Sequence, residues 1–207
     1  MILNDKQIKR LCEEVPPMIE PFEGTQKGKP SYGLGSFGYD IRLGKTFLVP
    51  KRDYVKRIGQ YELAGNSTDL FIIDTDSILT PLDPERNKRN FTVETCEEKF
   101  ILYPNTCVLG ESVERFNIPE NIFVLSFGKS TYARLGVVPH VTPLEPGWKN
   151  SVLTIEIANT GTLPVELIVG HGIAQLVFFR GNRPKRVYGE KESGGIYQNQ
   201  TGVWLPR

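Results

Sequence analysis

Glu156 and the segment from Gly128 to Arg134 carry the side chains best suited to chemistry. Glu156 stands in Leu153-Thr154-Ile155-Glu156-Ile157-Ala158-Asn159, an otherwise apolar run. Strand alternation puts it on one face with Thr154 and Ala158, opposite Ile155 and Ile157. Two readings stay open on the strand alone. A carboxylate facing water is inert, whereas one partly buried has a raised pKa and can serve as a general acid/base. The second segment reads Gly128-Lys129-Ser130-Thr131-Tyr132-Ala133-Arg134. A glycine followed by Lys-Ser-Thr at a helix start offers free backbone N–H groups, the positive end of the helix dipole, two hydroxyls and an ammonium, as a phosphate chain requires. It is not a Walker A loop, because the leading glycine of that motif falls at Phe123. Arg134 follows Ser130 by four residues, so both project from one helix face. Taken alone, the plainer reading of this segment is a solvated helix bearing a Lys and an Arg.

Other chemistries find less support. The histidines are His140 and His171, and no H-x-E, P-C-x-x-C or H-E-x-x-H is present, so catalytic zinc is not expected. A satisfied structural role is expected of both histidines. Gly33, Gly35 and Gly38 spell G-x-G-x-x-G, yet the triplet follows a Lys/Gly/Pro loop and runs into a strand, the wrong context for a dinucleotide fold. Cys12, Cys96 and Cys107 form no C-x-x-C and read as small buried hydrophobes rather than disulfides or metal ligands. Asn-x-Ser/Thr matches at Asn66, Asn90 and Asn199 are chance matches without a secretion signal.

The scaffold must position these groups. At 207 residues one domain is the first expectation, and 39% hydrophobic with 24% charged residues is ordinary globular usage. A formal net charge of +1 removes the global electrostatic case for binding duplex nucleic acid or acidic lipid, so an anionic ligand must be held by a local cluster. No membrane span or signal peptide is read, and a cytoplasmic location is expected. Asn4 or Asp5 caps a helix over about 5–14, stopped by Pro16-Pro17. Short apolar runs then follow: 39–43, 46–49, 70–73, 99–102, 107–109, 122–125, 151–157, 163–168 and 173–179, each bounded by turn residues. This spacing predicts a sandwich, jelly roll or barrel, with one short helix inserted over about 129–135. Residues 51–68 and 81–92 are rich in charge and poor in apolar positions, and read as surface insertions.

Taken together, Ser31-Tyr32-Gly33 with Phe37-Gly38-Tyr39-Asp40-Ile41-Arg42, the 128–136 segment, Val141-Thr142-Pro143-Leu144-Glu145-Pro146-Gly147-Trp148, Ile155-Glu156-Ile157-Ala158-Asn159, Gly172-Ile173-Ala174-Gln175-Leu176 and Tyr197-Gln198-Asn199-Gln200-Thr201-Gly202 resemble bacterial dCTP deaminases in order and spacing. The resemblance covers about 1–50 and 95–207. It implies a mainly β fold, a distorted β-barrel or jelly roll of the dUTPase-like type, in one domain spanning 1–207 with a surface extension at about 51–92 and a C-terminal lid at about 188–207. It further implies a homotrimer with active sites between subunits, and hydrolysis of dCTP to dUTP and ammonia that supplies dUTP for thymidylate synthesis. No catalytic metal is implied, with Mg²⁺ only accompanying the triphosphate, and dTTP is a candidate inhibitor. By matching position, Glu156 resembles the general acid/base, and Ser130 and Arg134 the residues completing its network. Lys129, Ser130, Thr131, Tyr132, Ala133 and Arg134 match the nucleotide-binding segment, Thr154, Ile155 and Glu156 the strand beside the base, and Gln175, Tyr188 and Gln200 further nucleotide contacts. Ile196 stands where many members carry a phosphate-facing lysine, which points to Lys191 or Lys185 as the substitute cation. The turn from Trp148 to Glu156 is one residue longer than usual. Glycines 189, 194, 195 and 202 predict a tail that is mobile without nucleotide and closes over it.

Alternatives on the same fold are a dUTPase, a bifunctional enzyme releasing dUMP with Glu145 as the second carboxylate, and a non-catalytic nucleotide sensor. The chain end lacks the glycine-rich arm that a dUTPase carries, and a sensor needs neither Glu156 nor Arg134.

Overall fold

A computed structural model of the chain describes residues 1–50, 91–192 and 194–205, together with the backbone of 55–63 and 66–73. Helix α1 (Asp5–Cys12) starts at a reciprocal cap: the Gln7 N–H donates to Asn4 Oδ1 and the Asn4 N–H to Gln7 Oε1, both at 3.1 Å. It buries Ile8 and Leu11 and ends two residues before the sequence expectation.

The strands are β1 (Ile19–Glu20), β2 (Gly33–Gly35), β3 (Gly38–Pro50), β4 (Val55–Leu63), β5 (Asn66–Ile73), β6 (Phe91–Thr95), β7 (Lys99–Leu102), β8 (Thr106–Phe116), β9 (Ile122–Gly128), β10 (Val137–His140), β11 (Ser151–Asn159), β12 (Val165–Ile168) and β13 (Gly172–Arg180), with the helical turn α2 (Ser130–Ala133) between β9 and β10. Two units emerge. The body comprises 1–49 and 93–204, the other unit 50–92 and 205–207. Within the body the main sheet runs β10-β11-β8-β3-β13-β9, every pairing antiparallel, and β7 and β12 form a separate ribbon. The two edges approach each other, since Val124 bridges Leu144 just beyond β10, so the sheet nearly closes into a barrel. Its interior is filled by alternate residues, among them Ile41, Leu43, Phe47, Val108, Val124, Ile155, Ile157, Leu176 and Phe178, all fully buried.

Three sequence expectations change. Residues 39–43 and 46–49 belong to one strand, β3, which pairs with β13 at one end and β8 at the other and shifts register between Leu43 and Phe47. The charge-rich stretch 51–68 is not free of strands: β4 and β5 pair across it as an antiparallel ribbon. Most of the expected loop 81–92 lies outside the described residues, while Phe91 and Thr92 begin β6. The cysteines also differ, for Cys12 and Cys96 are half-buried and Cys107 is exposed. Alternation along β8 turns Val108 into the core and Cys107 outward.

Glu114 is a fully buried carboxylate of structural character. Glu114 accepts from the Arg42 N–H at 2.9 Å and Arg42 Nε at 2.7 Å, and Tyr39 Oη lies 3.4 Å away. Burial raises the Glu114 pKa and Arg42 opposes the rise.

Candidate active site

Alternation along β11 puts Glu156 on the face away from Ile155 and Ile157, opposite Leu109 of β8 and His140 of β10. The choice left open by the sequence is thereby decided: the carboxylate is half-buried, and Oε2 is buried with no hydrogen-bond partner among the described residues. Burial pushes its pKa above the ordinary glutamate value, with its own backbone N–H and His140 pulling the other way. His140 is exposed rather than packed in a structural role. The other histidine also lacks the expected satisfaction: the His171 ring meets Tyr32 edge-on at 6.0 Å, and its Nδ1 is buried with no partner among the described residues. Thr154, on the Glu156 face, accepts from Gln200 Nε2 at 2.6 Å and from the Trp204 N–H at 3.3 Å. Ile155 points into the core.

The segment after β9 is shorter than expected. α2 is one turn, not a helix to Leu135, because Gly136 takes a left-handed conformation at φ 81° and donates its N–H to Ala133 O at 3.1 Å. Arg134 is therefore the C-cap, its N–H donating to Ser130 O. Ser130, Thr131, Ala133 and Arg134 are exposed. Tyr132 is not: only 2% of it is accessible, its Oη accepts the Ile168 N–H at 3.0 Å, and its own N–H and carbonyl are bonded within the turn. Lys129 also turns inward, donating from Nζ to Asp40 Oδ2 at 2.6 Å and Ser31 Oγ at 3.2 Å. Among the described residues no hydrogen bond joins Glu156 to Ser130 or Arg134, so the expected network is not closed within one chain.

Gln175 is half-buried on β13 between Asp40 and Phe127. Tyr188 opens a 3-10 turn (Tyr188–Glu190), its Oη accepts the Tyr197 N–H at 3.2 Å, and the Lys191 ammonium sits 5.5 Å from its ring centroid. Lys191 is ion-paired with Glu145. Lys185 and Ile196 are exposed. The tail is docked on the body. Trp148 Nε1 donates to Tyr197 O at 2.9 Å, the Lys149 N–H to Gln198 Oε1 at 2.6 Å, and Gln198 Nε2 to Gly147 O at 2.8 Å. Gln200 is buried, with its carbonyl accepting the Val152 N–H at 3.0 Å.

Sequence reasoning missed two contacts. One is the Glu145–Lys191 pair, whose partners lie on separate segments. The other is Asp40 as partner of Lys129. Asp40 interrupts the run Tyr39-Asp40-Ile41 as Glu156 interrupts its own, so the same search for charges inside apolar strands finds both.

A nearly closed antiparallel barrel, with a half-buried carboxylate on its outer wall whose Oε2 has no partner among the described residues, sets the class as a mainly β domain. Comparison with known proteins narrows this. The family model described as dCTP deaminase-like matches residues 2–181. The dCTP deaminase of Gemmatimonas aurantiaca is 40% identical over 209 residues, covering 100% of this chain and 98% of its own, and that of Herpetosiphon aurantiacus is 41% identical with the same coverage. The crystal structure of 2′-deoxycytidine 5′-triphosphate deaminase from Agrobacterium tumefaciens superposes with a TM-score of 0.58 at 16% identity over 87% of this chain and 46% of that one, a likeness of fold. The chain belongs to the dCTP deaminase-like family.

Proposed function

We propose that the protein hydrolyses dCTP at cytosine C4, giving dUTP and ammonia. The observation that carries this reading is Glu156, a half-buried carboxylate with a raised pKa and an unpartnered oxygen in a chain of this family. A carboxylate so placed can take a proton from water as the oxygen attacks C4 and deliver it to N3. It then carries the remaining hydroxyl proton to the amine as the C4–N4 bond breaks and ammonia leaves. Ser130 and Arg134 supply donors for charge that develops on the ring and the attacking oxygen. Thr131, Ala133, Gln175 and Tyr188 fit the role of nucleotide contacts, and Thr154 and Gln200 that of the wall beside the base, while the Tyr132 and Ile155 side chains support them from the core. Mg²⁺ accompanies the triphosphate in this reading, and the absence of any zinc-deaminase motif from the sequence supports assigning base catalysis to Glu156.

The working unit in this reading is a cytoplasmic homotrimer with sites shared between subunits. Ser130 and Arg134 are exposed and unbonded to Glu156 within one chain, and Phe127, Leu135 and Val138 present apolar surface around α2, each about half exposed. A second copy would cover that surface and bring the two halves of the network together. Glu145, the second carboxylate of a bifunctional enzyme, is engaged by Lys191. The test is to incubate the pure protein with dCTP and Mg²⁺ and resolve dUTP, dUMP, ammonia and pyrophosphate. Equal yields of dUTP and ammonia are expected, and a protein that releases no ammonia overturns the reading.

A further inference from the structure

A four-residue helix cannot hold its own position, since isolated helices below about 12 residues are marginal in water. α2 takes its place from side chains that leave it: Tyr132 on its inner face, and Lys129 at its N-cap. The Lys129 anchor is elaborate. Its N–H donates to Ile173 O of β13 at 3.4 Å, and its carbonyl accepts the N–H groups of Tyr132 and Ala133 at 3.1 and 3.0 Å. Its side chain runs the other way, to β3, where Nζ meets Asp40 Oδ2 at 2.6 Å with only 11% of the lysine and 3% of the aspartate side chain exposed. Asp40 Oδ2 also accepts from Gln26 Nε2 at 3.0 Å, and Asp40 Oδ1 is buried with no partner among the described residues. Gly172 leaves room for the lysine stem, because a Cβ there would stand 3.1 Å from Lys129 Cδ and 1.8 Å from Ser31 O.

This geometry separates two roles for Lys129. A lysine ammonium has three donors. Here two bonds go inward, to Asp40 and Ser31, and withdrawing the ammonium would leave a buried aspartate uncompensated. The residue fixed in this way directly precedes Ser130, and Arg134 closes the same turn.

We propose that Asp40 is a positioning residue for the reaction: through Lys129 it fixes the start of α2, and with it the places of the Ser130 hydroxyl and the Arg134 guanidinium. The inference rests on the deaminase reading for its substrate, and on the observed contacts for its geometry.

The experiment compares Asp40→Asn, Lys129→Gln and the double variant with the parent protein, using ammonia release from dCTP and amide hydrogen exchange. Misplacement of a positioned group by ~1 Å costs up to about 10²-fold in rate. Each single change is expected to lower kcat by roughly 10- to 100-fold with KM within about threefold, and the double variant to lose no more than the worse single, since the two residues act as one unit. Amides of 129–134 should exchange faster while β11 and β13 keep their protection. If a single variant fails to fold because one buried charge is stranded, the double variant, which strands none, carries the same comparison. Folded variants with parental kcat overturn the proposal. So does a KM that rises about tenfold or more in Lys129→Gln and falls in Asp40→Asn at constant kcat, the mark of a phosphate-gripping lysine. If the parent releases no ammonia, the deaminase reading fails by itself; exchange at 129–134 in Asp40→Asn then judges the anchor, and unchanged exchange overturns it.

Discussion

Glu156→Gln should move activity and stability in opposite directions. The substitution keeps shape and removes the charge from a carboxylate whose Oε2 is buried and unbonded among the described residues. Loss of acid/base catalysis lowers turnover by at least about 10²-fold, or roughly 2.7 kcal/mol of transition-state stabilisation, while dCTP still binds. An unbonded buried acceptor costs about 1–3 kcal/mol, and a half-exposed group takes the low end. Gln leaves a polar amide atom at the same place, so only the share of that cost due to the charge is relieved: the fold should gain at most about 1 kcal/mol at neutral pH, a Tm rise of no more than about 2–4 °C for a chain of this length. The pH dependence has a definite sign. Because burial raises the native Glu156 pKa, the native state binds the proton more tightly than the unfolded chain, and the parent loses stability as pH rises from the unfolded value near ~4.3 through the raised native one. Below that window the two proteins should melt alike; above it the variant should melt higher by a constant margin. Ammonia release and thermal melts from about pH 4 to 8 check both halves. Turnover within a few-fold of the parent, or a variant that melts lower at neutral pH, refutes the reasoning.

Arg134→Ala should assemble as the parent does, because its side chain is exposed, and lose turnover by about 10²-fold or more; gel filtration with an ammonia assay checks both, and activity lost only through lost assembly contradicts the role. A zinc-selective chelator in excess Mg²⁺ should leave activity intact, and stoichiometric zinc tied to activity would sink the assignment of base catalysis to Glu156. Lys191→Ala should raise KM for dCTP several-fold with little change in kcat, since it removes a cation beside Tyr188 and Glu145; steady-state kinetics decide. Arg42→Met should destabilise the body by roughly 3–5 kcal/mol in urea or thermal melts, because Glu114 then has no charge partner in the core.

The long interior strands were legible because β9, β11 and β13 are runs rich in apolar residues that end at turn residues, and β11 also alternates from Leu153 onward. β1, β2 and β10 were not, for they have two to four residues and take their identity from a partner strand rather than from local sequence. β4 is rich in charge, so no burial pattern announced it. In the site, Glu156 stood out as a charge in an apolar strand. The burial of Tyr132 was not legible, since a tyrosine in a run of helix formers shows nothing locally of the Ile168 N–H that claims its hydroxyl. The inward turn of Lys129 was hidden for the same reason. Its spacing from Ser130 is a local fact, whereas its bond to Asp40 spans 89 residues of sequence.

The docked tail gives the protein an optical reporter of its own. The chain has two tryptophans, and both are tied to this contact: Trp148 donates its indole N–H to Tyr197 O, and Trp204 donates its backbone N–H to Thr154. Trp148 is 7% exposed and stacks on Phe116 at 6.4 Å, so its emission belongs to an apolar setting with one fixed hydrogen bond. Release of the tail breaks that bond and lets water reach the indole, which shifts emission to the red. The rate at which the tail leaves the body is thus readable from the unlabelled protein in a stopped-flow trace, and a single Trp204→Phe change assigns the signal to Trp148.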